Sequence, residues 1–229
     1  MTDNMGVFPG DPACRITTAH DYENGYFVSE ISMGTHTGTH VDTPAHKIPG
    51  TESLSELGIE PFVTEKNIVI DTRSLQGEID AAFVKANEEL LKGKEGVIFR
   101  SGWAEKFGGD EFFCDFPALS EDAAPALKAL GIRLVGLETP SVNPVRHDTV
   151  HEAYLKERII IVEALANVEN LPETGFAFFA VPLKLKGRDG SPVRAFASVM
   201  VGCAMRALVK TEKGFGNIEV KKYAIPLAS

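Results

Sequence analysis

Cysteine is scarce: Cys14, Cys114 and Cys203 are the only three in 229 residues, and no two of them form a CxxC pair. An odd, widely spaced set does not make a disulfide framework, so free thiols without a chemical role are expected. Long hydrophobic runs are missing too, and none approaches the roughly 20 residues that cross a bilayer. The opening Met1-Thr2-Asp3-Asn4-Met5 has neither the basic nor the apolar region of a secretory signal, which makes a cytoplasmic location the expectation. Basic residues are outnumbered, 23 Lys and Arg against 32 Asp and Glu, for a net charge of -9. The nearest thing to a basic stripe, Lys184, Lys186 and Arg188, is short and reads as a solvated strand face. Nucleic-acid and membrane partners are therefore not expected, since phosphate neutralisation needs clustered cations. Repeats, low-complexity blocks and Pro/Gly/Ser linkers are absent as well, so residues 1–229 read as a single domain with ample length for a core.

What is present alternates. Ile68-Val69-Ile70, Val97-Ile98-Phe99 and Leu134-Val135-Gly136-Leu137 are short apolar runs bounded by polar residues or Gly, the pattern of buried strands. Between them a helix is expected from an Asp80 N-cap, with Phe83, Val84, Leu90 and Leu91 on one face. A second is expected from a Ser120 cap, with Glu121 and Asp122 at its positive end, Leu127 and Leu130 inward, and Gly131 as the stop. Ile159 to Val162, Phe176 to Leu185 and Ala195 to Leu208 read as further strands. Strand–helix–strand alternation followed by a strand-rich end predicts an α/β domain with a mixed sheet, curved or closed into a barrel and flanked by helices.

Histidine is concentrated. Of the six in the chain, three lie in His36-Thr37-Gly38-Thr39-His40-Val41-Asp42-Thr43-Pro44-Ala45-His46. Imidazole and carboxylate are the usual ligands of zinc and its divalent neighbours, and His36, His40 and Asp42 make an H-x3-H-x-D cluster. Gly38 and the β-branched Thr37, Thr39 and Val41 disfavour a helix, so a tight loop or strand end is expected to turn these side chains inward.

The segment H-x-G-T-H-x-D-x-P-x-H resembles the signature of the cyclase family of metal-dependent hydrolases, which includes bacterial kynurenine formamidases and isatin hydrolases. The resemblance extends along most of the chain. It includes Phe8-Pro9-Gly10-Asp11-Pro12, Arg100-Ser101-Gly102-Trp103 and Gly136-Leu137-Glu138-Thr139-Pro140-Ser141-Val142, where Glu138 stands in place of the usual Asp. It continues in Pro182-Leu183-Lys184-Leu185 and Gly190-Ser191-Pro192-Val193-Arg194-Ala195. The family likeness implies a cyclase-like β/β/α fold and a second metal site completed by a His and a Glu twelve residues apart. His151 and Glu163 have that spacing, whereas the competing His147 falls sixteen residues before Glu163.

On this reading His36, His40 and Asp42 hold one metal; Asp42, His151 and Glu163 hold a second; and Asp42 bridges. Two Zn2+ per chain are expected, with Mn2+ an alternative that the donor set also accepts. His46, beyond the ligand triplet, is free to move protons as general acid and base, or alternatively to orient a ligand. Trp103 and Phe8 are candidates to line a cleft for the aromatic, small-molecule substrates that the resemblance implies, or are ordinary core aromatics. The implied activity is hydrolysis of a formamide, as by a kynurenine formamidase. The alternatives are ring opening of a cyclic amide or lactone, and metal binding without turnover. The resemblance also implies a homodimer or homotetramer.

Overall fold

The computed structural model describes the backbone of residues 1–201, 204–211 and 214–219, and the side chains of residues 1–199; Cys203 lies outside them. The described strands are β1 (Arg15–His20), β2 (Val28–Ser32), β3 (His40–Asp42), β4 (Val63–Thr64), β5 (Asn67–Asp71), β6 (Gly96–Arg100) and β7 (Leu134–Leu137). They continue with β8 (Ile160–Glu163), β9 (Phe176–Phe179), β10 (Gly190–Pro192), β11 (Phe196–Val201), β12 (Ala204–Thr211) and β13 (Gly214–Glu219). The helices are α1 (Ala81–Ala86), α2 (Glu88–Leu91), α3 (Ala123–Ala129) and α4 (His147–Lys156).

The central sheet runs β10-β3-β8-β7-β6-β5. Its strands β5 to β8 are parallel and adjacent in chain order, while β3 and β10 are antiparallel. Parallel neighbours require crossovers, and crossovers are right-handed. Adding consecutive strands always on the same side therefore puts every crossover helix on one face of the sheet. Alternate residues confirm the division. Ile68, Ile70, Val97, Phe99, Val135 and Ile161 pack with Leu127, Val150 and Tyr154 of the helices. Val41, Val69, Ile98, Leu134, Ile160 and Val162 face the other way, against Phe176 and Phe178. Those two phenylalanines belong to β9, in a second, antiparallel sheet of order β13-β12-β11-β9-β4. The result is sheet on sheet on helices. The central sheet is mixed as expected, and among the described residues the strands form three separate sheets, the third being the β1–β2 hairpin, and not a closed barrel.

Several boundaries differ from those the sequence suggests. Asp80 does cap α1, accepting from the Phe83 amide. The helix then breaks at Asn87 (φ -107°, ψ 13°), so Leu90 is not on the core face but 50% exposed, while Leu91 is buried. The N-cap of α3 is Asp122, not Ser120; the Ser120 hydroxyl donates instead to the Asp122 carboxylate. Only Phe176–Phe179 of the stretch to Leu185 is strand. The run from Ala195 to Leu208 is two antiparallel strands, β11 and β12, in place of one. Neither the β1–β2 hairpin, whose residues are almost all exposed, nor β13 was anticipated.

Candidate metal and catalytic site

The site grows from pleat and register. In β3 the side chains of His40 and Asp42 point to one face and Val41 to the other, because the strand repeat is two. β3 pairs with β8 so that His40 stands opposite Glu163 and Asp42 opposite Ile161. Ile161 faces the helices, so Glu163, two residues on, does too, and with it His40 and Asp42. From that side α4 presents Val150, His151, Tyr154 and Leu155 as its buried face. His36 comes from the turn before β3, which Gly38 closes with φ +64°. His46 ends the single helical turn Pro44–His46 after it.

Five side chains converge. His36 Nδ1 lies 2.7 Å from Asp42 Oδ1. His40 Nε2 lies 3.4 Å from the same oxygen and 3.3 Å from Glu163 Oε2. His151 Nε2 lies 3.2 Å from Glu163 Oε1 and 3.4 Å from Asp42 Oδ2. The donor atoms of His36, His40 and Asp42 lie within 4.8 Å of one another, as do those of Asp42, His151 and Glu163. His147 does not join them: one turn earlier on α4, it accepts at its carbonyl from His151 Nδ1 (2.6 Å) and sets its ring against Phe8.

The far nitrogen of each converging histidine is anchored. His40 Nδ1 donates to the Gly38 carbonyl (2.8 Å), His151 Nδ1 to that of His147, and His36 Nε2 to Asp189 Oδ2 (2.8 Å). In the neutral ring the other nitrogen is then a bare lone pair aimed at carboxylate oxygens. That contact is repulsive unless a proton or a cation stands between. Without a metal, protons fill the role. Burial opposes charge on His36, yet Asp42 and Asp189 hold its pKa up at about 10. Burial likewise opposes charge on His151, and Asp42 and Glu163 raise its pKa to about 10. Burial works against ionisation of Asp42 as well, but His36 and His151 hold its carboxyl well below the usual range.

Asp42 carries the test of whether a metal fits. It is fully buried, and its Oδ2 has no hydrogen bond. A buried carboxylate oxygen left without a donor costs free energy, and a divalent cation relieves that cost while replacing the imidazole protons. Three anchored imidazoles and two buried carboxylates form the nitrogen and oxygen donor set of a zinc-type site. The residues fit the group.

Asp189, in the turn before β10, is the residue that sequence reasoning missed. Its Oδ2 accepts from His46 Nδ1 (3.1 Å) as well as from His36, and its Oδ1 accepts from Thr35 Oγ1 (3.3 Å). It stands 143 residues from His46, in a Gly-Arg-Asp-Gly turn that looks like any exposed loop, so no local signal marks it. The His46 ring lies 4.2 Å from that of His36 and 5.3 Å from that of His151, centroid to centroid. Trp103 follows β6; its Nε1 donates to the Phe112 carbonyl (2.9 Å) and Lys106 lies over its ring, contacts within its own segment. Glu138 follows β7 and accepts from the amides of Ser101 and Gly102, holding the loop that leads to Trp103. A cavity of about 800 Å³ borders the site through Thr35, Gly38 and Thr39 and is walled by Met33, Leu185 and Val193; no member of the His/Asp/Glu cluster lines it.

Known proteins resemble this chain along most of its length. The family described as "Putative cyclase" matches residues 1–144. A kynurenine formamidase of Bacillus thuringiensis subsp. konkukian is 30% identical over 199 residues, covering 85% of this chain and 92% of its own. One from Erythrobacter litoralis is 29% identical, covering 85% and 88%. The structure of isatin hydrolase A from Labrenzia aggregata, bound to benzyl benzoate, superposes with a TM-score of 0.77 at 26% identity, covering 87% of this chain and 91% of that one. A predicted metal-dependent hydrolase from Bacillus stearothermophilus gives 0.68 at 26%, covering 85% and 92%. With its family match and its full-length relatives in agreement, this chain belongs to the cyclase family.

Proposed function

We propose that this chain is a metal-dependent amidohydrolase that cleaves the C–N bond of an aryl formamide, with N-formylkynurenine as the substrate to test. The observation that carries the reading is the position of Asp42. It is common to two of the three groups of possible ligands, the third being His36, His46 and Asp189; one of its oxygens faces His36 and His40, and the other, without a hydrogen bond, lies 3.4 Å from His151 Nε2. Likeness to kynurenine formamidases across 92% of one relative's length supports the choice of a formamide.

His36, His40 and Asp42 would hold one cation, and Asp42, His151 and Glu163 a second. Zinc is the proposed metal, and the same donors accept manganese. Two divalent cations so held would supply an acidified water and polarise a carbonyl. The remaining chemistry falls to the protein. Water adds to the formyl carbon, the C–N bond breaks, and formate leaves with the hydroxyl oxygen. His46 takes the proton that the attacking water gives up and delivers it to the departing nitrogen. Trp103 has no part in this reading, because its described contacts stay within its own segment.

The test pairs elemental analysis of chelator-free protein with N-formylkynurenine hydrolysis by wild type, His40→Ala and His46→Ala. The expected outcome is about two metals per wild-type chain, and loss of both metal and activity in His40→Ala. His46→Ala keeps its metal and slows by about 100- to 10,000-fold. Undiminished turnover by a metal-free His40→Ala would sink the reading. Opening of a cyclic amide without formamide hydrolysis would move the substrate class toward that of the isatin hydrolases, whose fold this chain shares. Full metal occupancy with no hydrolysis of any formanilide, lactam or lactone would make the chain a metal-binding protein.

A further inference from the structure

We infer that Asp189 is a positioning residue that sets His46 for proton transfer and ties it to the metal ligand His36. The inference rests on the proposed role of His46 and adds a residue to it. One oxygen, Asp189 Oδ2, accepts from His46 Nδ1 at 3.1 Å and from His36 Nε2 at 2.8 Å. The Nδ1 of His46 therefore carries hydrogen, and Nε2, which has no hydrogen bond to a described residue, is the nitrogen left to exchange a proton with substrate. Free imidazole is under no such constraint. Holding the ring in one tautomer and one orientation is what a carboxylate does for a catalytic histidine in hydrolytic triads.

The backbone beneath Asp189 reinforces the geometry. The Asp189 carbonyl accepts from both the amide (3.1 Å) and the hydroxyl (2.8 Å) of Thr43, the residue that begins the turn carrying His46. The carboxylate and the imidazole thus sit on two loops pinned to each other through main-chain oxygen, which holds their separation. Thr35 fills the other carboxylate oxygen, so the side chain has one rotamer that satisfies all three partners. Removing the carboxylate leaves the two Thr43 bonds intact, which separates positioning from folding.

The experiment compares Asp189→Ala and Asp189→Asn, each alone and with His46→Ala, in the full zinc-loaded chain. Asp189→Ala is expected to lower kcat about 10- to 100-fold with KM within about threefold and zinc retained at saturating concentration. Asp189→Asn recovers most of the loss, because its amide oxygen accepts from both rings while its NH2 turns to the Thr35 hydroxyl. In the His46→Ala background, Asp189→Ala costs far less than it does alone, leaving only the loss of the His36 anchor, since residues acting as a unit are not additive. Long-range 1H–15N spectra of the histidines at about pH 8.5, where imidazole is ordinarily neutral, supply a readout independent of turnover. They should show the Nδ1–H tautomer for His46 in wild type and its loss in Asp189→Ala. An Nε2–H tautomer in wild type, additive losses in the double variant, or loss of zinc from Asp189→Ala at saturation would each overturn the inference. If the chain hydrolyses no formamide but His46 holds the Nδ1–H tautomer, the proposed substrate fails and the positioning stands.

Discussion

His36 Nδ1 stands 2.7 Å from Asp42 Oδ1, and the opposite nitrogen of the same ring stands 2.8 Å from Asp189. The imidazole is clamped between two carboxylates, and Asp42 in turn meets His40 and His151. Asp42→Asn therefore removes the charge that both candidate cation positions share. Metal content measured after dialysis should fall toward zero. In the metal-free chain at about pH 6, denaturant titration should show a loss of about 3–5 kcal/mol, the cost of breaking a buried charge network from one side.

The raised histidines make the metal-free chain sensitive to alkali. His36 and His151 have folded pKa values near 10 against an ordinary 6.5. A group raised on folding contributes its full stability below the unfolded value and loses it as pH rises through the folded one. The metal-free chain should thus lose stability steadily between pH 6.5 and 10. Metal needs the same nitrogens deprotonated, so its affinity rises over that window. The gap in Tm between zinc-loaded and chelated protein should widen from pH 6.5 to 10, which scanning calorimetry across pH would check. A gap that narrows would contradict the assignment of these rings.

Gly190 leaves room for the His36 ring. A Cβ there would lie 2.7 Å from the Val41 carbonyl oxygen and 2.8 Å from His36 Cε1. The carbonyl belongs to the sheet, so both the backbone at Gly190 and the His36 ring must shift. Gly190→Ala is expected to weaken metal binding or activity about 10- to 100-fold, as displacement of an oriented ligand does. Competition with a chromogenic chelator measures the first, and hydrolysis at saturating metal the second.

Glu138 separates charge from hydrogen bonding. Burial pushes its carboxyl above the ordinary range, even though the Gly102 and Ser101 amides pull the other way. Ionisation is therefore less favourable in the fold than in solvent, and its cost appears as pH rises through the folded pKa. Glu138→Gln keeps an oxygen for both amides and should stay within about 1 kcal/mol of wild type at neutral pH. Glu138→Ala removes the acceptor of the half-buried Ser101 and Gly102 amides, for a loss of about 1–3 kcal/mol by denaturant unfolding. Equal losses in the two variants would mean that the carboxylate charge, and not the acceptor, holds the loop.

How much of this was legible depends on distance along the chain. His36, His40, Asp42 and His46 span eleven residues, and a glycine turn followed by a three-residue strand suffices to gather them. Local backbone preference and the two-residue pleat act over that range, so the cluster could be read directly. The strand–helix alternation is equally local, and right-handed crossover turns it into a layered fold. His151 and Glu163 were suggested by resemblance; the reason they meet His40 and Asp42 is the β3–β8 register together with the buried face of α4. Leu90 failed because one asparagine interrupted a helix that its apolar spacing alone would have continued.

The sequence by itself thus determined the cluster from His36 to His46, the turn that gathers it and the class of fold, all consequences of short-range stereochemistry. Only the tertiary structure decided that Glu163 pairs with His40, that the helices leave the opposite face to a second sheet, and that Asp189 reaches two histidines more than 140 residues away. Those choices follow from register and burial summed over the whole chain. No window of ten or twenty residues contains that sum.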